Sequence, residues 1–289
     1  MTNVNDKPSG LPELLSRGET LVIPSMYDGI SALLVKEFGF EAAYIGSYGT
    51  GATKYGLPDV GYISAEDMAD QVRRLCDIVD VPIVVDGEGG WGNPVHVARA
   101  VRLLERSGAA ATHLEDHEFG KHITQTPRLL AVEAATDKVK AAVDARESSD
   151  FLIIARTDAA HVEGPEAAVD RLLAYQAAGA DALFIAGNLD EPAWKRLRDS
   201  SDAPVLITDL PGLTAADLGA LGASAVVYYG LAHIAATQGI RRAFAELAET
   251  RATLRASEEL GGIQGVIGYD SFLGIDEVRR LASAYGLLD

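Results

Sequence analysis

Short apolar runs alternate with longer amphipathic stretches along most of the chain. The runs are TLVIPS (20–25), AAYIGS (42–47), PIVVDGE (82–88), ATHLED (111–116), FLIIARTD (151–158), ALFIAG (182–187), PVLITD (204–209) and AVVYYG (225–230). Runs that are continuously apolar, rather than alternating, suit strands covered on both faces, as in parallel sheets. Between them, ISALLVKEFGF, ISAEDMADQVRRLCDIV, HVARAVRLLERSG and EAAVDRLLAYQAAG place apolar residues at i, i+3, i+4 and i+7. That spacing predicts helices with one buried stripe.

A weak internal repeat links the elements. GFEAAYI from Gly39, GAAATHL from Gly108, GADALFI from Gly179 and GASAVVY from Gly222 each put a glycine at a helix end, a few residues before a strand. Glycine supplies the positive φ of a helix C-terminus there, and the small alanines allow close packing. These four segments introduce the second, fourth, sixth and eighth runs, whereas the third, fifth and seventh follow VDV-P, SSD-F and SDA-P. Two alternating linkers around eight strands predict a (β/α)8 TIM barrel built from repeated double units. A doubly wound open sheet is the competing architecture, but no Gly-rich fingerprint turn follows the first strand.

Beyond Tyr228 the segment LAHIAATQGIRRAFAELAETRATLRAS predicts one or two helices. A Gly-rich break, ELGGIQGVIGYD, is expected next, followed by a terminal helix, DEVRRLASAYGLL. The chain therefore reads as a single barrel domain over 1–289, with 232–289 a C-terminal helical extension. That tail packs on a neighbouring subunit or folds over its own barrel.

Composition narrows the function. The 289 residues are 48% hydrophobic, as in an ordinary globular protein. Twenty-five Lys and Arg against 42 Asp and Glu give a net charge of −17, which disfavours nucleic acid and anionic membrane as partners. The single Cys76 excludes an intrachain disulfide framework and reads as a buried structural thiol. The start MTNVNDKPSG is polar, no uncharged apolar run reaches about 18 residues, and a cytoplasmic location is expected.

In a TIM barrel the site is built at the C-terminal ends of the strands. The polar residues there are Asp86 and Glu88, Glu115 and Asp116, and Arg156 and Asp158. Residues two apart on a strand face the same way, which pairs Asp86 with Glu88, His113 with Glu115, and Arg156 with Asp158. If Asp86, Glu88 and Glu115 all turn inward, three carboxylates meet at one barrel mouth, which is costly without a cation or a proton among them. Oxygen ligands alone suggest Mg²⁺, with Mn²⁺ as the alternative, rather than Zn²⁺. Strand-ending acids that cap the following helices are the plainer explanation, above all for Asp116.

IPSMYDGISA (23–32), YGLPDVG (55–61), DGEGGWGN (86–93), HLEDH (113–117) and IIARTDA (153–159) occur in an order and spacing that resembles the isocitrate lyase/phosphoenolpyruvate mutase superfamily. The resemblance implies a (β/α)8 barrel, a helix exchanged between subunits of a homodimer or homotetramer, and Mg²⁺ at the strand ends. It also implies C–C or C–P bond chemistry beside a carboxylate, through enolates. By resemblance Asp86 and Glu88 are metal ligands, with Glu88 standing where the family has Asp. Asp59 and Glu115 complete the metal site. Arg156 binds the substrate carboxylate, a role that two parallel guanidinium hydrogen bonds suit. Tyr44, Gly46, Ser47, Tyr48 and Thr208 fall at substrate-binding positions.

Departures from the family are equally informative. Its lyase branch carries K-R-C-G-H on the loop after the fourth strand, whereas this loop reads HEFGKHITQTPR. Lys121 matches the Lys, but Ile123 stands where the catalytic Cys would be. His122, of a residue type that titrates near neutral pH, is the candidate substitute acid/base, with a solvated loop histidine the plainer alternative. The Glu at the end of the sixth strand is replaced near Ala186-Gly187, and the seventh-strand Asn by Thr208. Trp91 is expected to shield the pocket, and Tyr228, Tyr229 and His233 to pack. The sum is a Mg²⁺-dependent enzyme of lyase or decarboxylase type. It takes a 2-oxo or 2-hydroxy carboxylic acid and cleaves a C–C bond through an enolate. A C–P enzyme such as a phosphonopyruvate hydrolase, and a non-catalytic barrel binding a small acid, are the alternatives.

Overall fold

The computed structural model describes residues 10–124, 126–259 and 261–287. The polar start expected at 1–9 lies outside them. Every apolar run forms a strand: β1 (Leu21–Pro24), β2 (Ala43–Ile45), β3 (Ile83–Asp86), β4 (Ala111–Glu115), β5 (Leu152–Thr157), β6 (Ala182–Ile185), β7 (Val205–Thr208) and β8 (Ala225–Tyr228). All neighbours pair in parallel in the order β1-β8-β7-β6-β5-β4-β3-β2. A bridge from Ser25 to Tyr44 joins β1 to β2, which closes the sheet into a (β/α)8 barrel.

Burial on both faces explains the continuous apolar runs. Ile23, Val84, Ile154, Phe184, Leu206 and Val227 fill the inside, and helix Leu11–Ser16 adds Leu11, Leu14 and Leu15 to that cluster. The opposite strand faces, with Ile45, Val85, Ile153, Leu183, Ile207 and Val226, pack under the surrounding helices. The repeat glycines turn the chain as expected: Gly39, Gly108, Gly179 and Gly222 have φ of 69°, 102°, 104° and 123°. Helix starts are fixed by side-chain caps, including reciprocal boxes at Ser64 with Asp67 and at Thr214 with Asp217.

The chain divides into one compact unit up to His233 and a second from Ile234 onward. In the second unit Glu246 is buried and accepts the Arg255 and Ala256 amides, at 2.7 and 2.9 Å, at the start of helix Leu254–Glu259. The expected Gly-rich break is corrected here, because Gly262–Phe272 is helical and is followed by helix Ile275–Ala284. Each interior glycine costs a helix only about 1 kcal/mol, so Gly265 and Gly268 do not break it. The chain turns at Gly261 and Gly262, at φ 70° and 57°. Among the described residues no helix is long and apolar enough to cross a membrane.

Candidate active site

The site lies at the C-terminal ends of β2 to β8. Register sets its centre: Asp86 pairs with His113, and Glu115 pairs with Arg156. Asp86 ends β3 with 3% exposure. Its Oδ2 accepts from Ser47 Oγ at 2.9 Å, the Ser47 amide at 3.2 Å and the Tyr44 hydroxyl at 3.3 Å. Its Oδ1 accepts the Glu88 amide at 2.9 Å. Burial opposes ionisation, but His113, Lys121 and Arg156 outweigh it and hold Asp86 well below the usual carboxylate range.

Glu88 reaches the cluster by a different route from strand alternation. β3 stops at Asp86, and Glu88 sits in the left-handed region at φ 46°. Gly87 is required between them, since a Cβ there would lie 2.5 Å from the His113 carbonyl oxygen. The Glu88 side chain is buried, its Oε1 has no hydrogen-bond partner, and its Oε2 is 3.4 Å from Lys121 Nζ. Burial first, and then the Asp86 charge, push its pKa up to about 8.

Lys121 folds back from the loop after β4 into this group and is 5% exposed. Its ammonium donates to Glu115 Oε1 and Oε2 at 3.0 and 3.1 Å, with Asp59 Oδ2 at 3.5 Å. Burial alone would depress its pKa, yet Glu115, Asp86 and Glu88 raise it well above the ordinary lysine value. Arg156 is fixed by Glu115 at 2.8 Å and by two bonds to Asp158 at 3.1 and 3.2 Å, and its guanidinium lies 5.4 Å from the Phe184 ring centre. His122 is more exposed, with Nε2 3.5 Å from Asp59 Oδ2.

These groups open onto a cavity of about 370 Å³. Tyr44, Gly46, Tyr48, Asp59, Asp86, Lys121, His122 and Arg156 line one part, and Phe184, Ala186, Gly187, Thr208 and Tyr229 the other. Ser47, Glu88 and Glu115 stand behind that wall. Two expectations change. Trp91 does not line the cavity; its indole N–H bonds the Ile63 carbonyl at 2.7 Å, and its ring packs on the apolar core. Tyr229 does line it, because β8 ends one residue earlier, whereas His233 packs edge-on against Tyr27 and Tyr48.

Sequence reasoning missed His161 and Phe184 on the cavity wall, and gave His113 no role. Phe184 lies inside an apolar run and carried no signal. His161 sits three residues beyond Asp158, in short helix Ala159–Val162 after β5, and its place in a strand-to-helix connection was the available clue. His113 is fully buried, with Nε2 2.9 Å from the Tyr44 hydroxyl and 3.6 Å from Asp86 Oδ1.

A divalent cation fits this donor set. Asp86, His113 and Glu115 each offer a ligand atom within 4.8 Å of the others, and Glu88 Oε1 is buried and unpartnered. Five carboxylates (Asp59, Asp86, Glu88, Glu115, Asp158) face the two permanent charges of Lys121 and Arg156, which leaves three negative charges uncompensated when all five are ionised. A neighbouring group, Asp116, His117 and Asp158, has its oxygens committed. Asp116 accepts from Thr157, Tyr175 and Arg171, and Asp158 is held by Arg156 and by His117 at 3.1 Å.

Comparison with known proteins supplies the context. The profile of the phosphoenolpyruvate phosphomutase family matches residues 11–248. The chain is 31% identical over 285 residues to 2,3-dimethylmalate lyase of Eubacterium barkeri, covering 94% of this chain and 96% of that protein. It is 36% identical over 203 residues to oxaloacetate decarboxylase of Paraburkholderia xenovorans, covering 70% and 68%. Oxaloacetate acetylhydrolase in complex with 3,3-difluorooxalacetate superposes with a TM-score of 0.85 at 26% identity over 97% of each chain. Phosphonopyruvate hydrolase in complex with oxalate and Mg²⁺ superposes with a TM-score of 0.82 at 27% identity, covering 95% of this chain and 97% of that one.

Proposed function

The chain belongs to the phosphoenolpyruvate phosphomutase family, within the isocitrate lyase/phosphoenolpyruvate mutase superfamily, and from that premise we propose a carbon–carbon lyase. Its substrate is a 2-oxo or 2-hydroxy carboxylic acid, and the cleaved bond lies beside the carboxylate. The observation that carries this reading is the cluster of carboxyl groups beside Arg156, crowded enough to push the Glu88 pKa up to about 8. A barrel with no cation to bind and no acid to turn over has little use for Asp59, Asp86, Glu88 and Glu115 together.

Asp86, Glu88, Glu115 and Asp59, the last through water, are the residues that would hold Mg²⁺, with Mn²⁺ the alternative. A cation held there would supply Lewis-acid polarisation of the substrate's 2-oxygen. Arg156 receives the substrate carboxylate, its plane fixed from behind by Glu115 and Asp158. Tyr44, Ser47 and the amides after Gly46 orient Asp86 and the substrate, and Tyr48 and Thr208 bound the cavity. Lys121 anchors its loop on Glu115, which excludes water from the acids. His122, facing Asp59 from that loop, exchanges the proton that a family cysteine handles elsewhere.

The chain acts as a homodimer or homotetramer. Exposed Ile267, Tyr269, Leu273, Val278 and Leu281 on its C-terminal helices support self-association. Light scattering tests that directly. Turnover is tested by screening 2-oxo and 2-hydroxy dicarboxylates and phosphonopyruvate with Mg²⁺, following pyruvate, CO₂ and phosphate. Phosphate release from phosphonopyruvate alone would replace the C–C reading with C–P cleavage. A cation-binding protein that turns over none of them would be a small-acid-binding barrel.

A further inference from the structure

The geometry points to His161 as a specificity-determining residue that reads a second carboxylate on the substrate, an inference that rests on the proposed site. The cavity divides by charge. Its acids, Asp59, Asp86 and Asp158, come from the β2–β5 half of the barrel, whereas β6, β7 and β8 contribute Phe184, Ala186, Gly187, Thr208 and Tyr229. That second half carries no carboxylate, and its polar groups are the Thr208 hydroxyl and the Tyr229 phenol.

His161 leans over this half from the segment after β5. Its Nε2 lies 2.2 Å from where a Cβ on Gly187 would stand, so the imidazole occupies space that only glycine leaves free. Gly187 also has φ 102°, a conformation that glycine tolerates without cost. The His161 side chain lines the cavity, and among the described residues neither ring nitrogen is engaged by a hydrogen bond or ion pair. The two permanent cations of the wall are already assigned: Lys121 is held by Glu115, Asp59 and Glu88, and Arg156 receives the reacting carboxylate, so neither is left for a second one. An anion on the far end of the substrate therefore meets an uncommitted imidazole and the β6–β8 part of the wall, which carries the Thr208 hydroxyl and no carboxylate. The ligand class is a 2-oxo or 2-hydroxy dicarboxylate, with its reacting end at Arg156 and its second carboxylate at His161 and Thr208.

Malate and lactate form a matched pair, since lactate is malate without the second carboxylate, and oxalate probes the reacting end alone. Calorimetry with Mg²⁺ on the wild type, His161→Ala and His161→Gln reads all three ligands. Wild type should prefer malate over lactate by about tenfold or more, the worth of one charge-assisted hydrogen bond in a cavity. In His161→Ala that preference falls to less than about twofold while oxalate affinity is kept, and His161→Gln, which keeps a donor, lies between. A wild type with no malate preference overturns the assignment. So does an alanine variant that retains the preference or that loses oxalate in equal measure. A wild type that fails to bind oxalate removes the underlying site, and the role of His161 with it.

Discussion

Lys121 and Glu115 lie six residues apart in the chain, and the ammonium of one donates to both carboxylate oxygens of the other at 3.0 and 3.1 Å, both side chains buried. Asp59 and Glu88 face the same nitrogen at 3.5 and 3.4 Å. Removing one partner of a buried ion pair strands the other charge, which typically costs about 3–5 kcal/mol. Lys121→Ala should therefore lower the melting temperature markedly in metal-free buffer. Because Asp59 and Glu88 then lose their ammonium and Glu115 keeps only Arg156, Mg²⁺ should restore more stability to the variant than it adds to the wild type. Equal melting temperatures without metal would refute the pairing.

Asp86 and Glu88 differ in what holds them, and their variants should differ accordingly. Asp86 is oriented by Ser47, Tyr44 and the Glu88 amide, whereas Glu88 has one oxygen with no partner. Loss of a preorganised ligand should reduce Mg²⁺ affinity roughly 100-fold or more for Asp86→Ala, and only about tenfold for Glu88→Gln, which keeps an oxygen donor. Calorimetric titration measures both. Unchanged binding in Asp86→Ala would remove the carboxylates from the metal site.

What the sequence made legible follows from where its signals come from. Strands buried on both faces leave continuous apolar runs, so β1 to β8 can be read directly from the sequence. The ends of adjacent strands fall at matching depth, and that is why Asp86, Glu115 and Arg156 group together from the sequence alone. Glu88 joins them by a route other than strand alternation, because its backbone leaves the strand for φ 46°. The contact of Lys121 with Glu115 depends on how a loop folds back, and the seat of His161 over Gly187 joins segments 26 residues apart. Neither leaves a local pattern. The Gly-rich segment 262–272 misled in the opposite direction, since glycine weakens a helix without forbidding it.

Asp116, beside the proposed ligand Glu115, should prove structural. Its Oδ2 accepts from Thr157 Oγ1 at 2.6 Å, the Tyr175 hydroxyl at 2.9 Å and Arg171 Nη1 at 3.4 Å, all buried. Asp116→Ala leaves the Thr157 and Tyr175 hydroxyls and the Asp158 amide without their acceptor and removes one of the acids facing Arg171, a loss of about 3 kcal/mol or more in urea unfolding. Mg²⁺ affinity of the folded variant should stay within about threefold of wild type, because the cost falls on the packing of helix Pro165–Ala177 and not on the cation. A stable variant with abolished Mg²⁺ binding would instead make Asp116 a ligand.

Cys76 gives the pH-dependent test, and it separates this chain from relatives that use a loop cysteine. The thiol lies on helix Ala65–Cys76, half-buried, with Sγ 3.5 Å from the Gly108 carbonyl oxygen, and it lines no part of the cavity. Burial first, and then the Asp77 charge, raise its pKa above the ordinary 9.0. The thiolate is the reactive form, so alkylation by iodoacetamide should be slow at neutral pH and should accelerate only as pH climbs past 9.0. The same shift sets a sign on stability. A thiol that ionises more readily in the unfolded chain favours unfolding as pH rises through the unfolded value, so the wild type should lose stability relative to Cys76→Ala on that alkaline side and not below it. Complete alkylation should leave turnover intact, since Cys76 is the only cysteine in the chain and lies away from the cavity. Rapid inactivation by iodoacetamide near pH 7, abolished in Cys76→Ala, would place a thiol in the chemistry and remove His122 from its role.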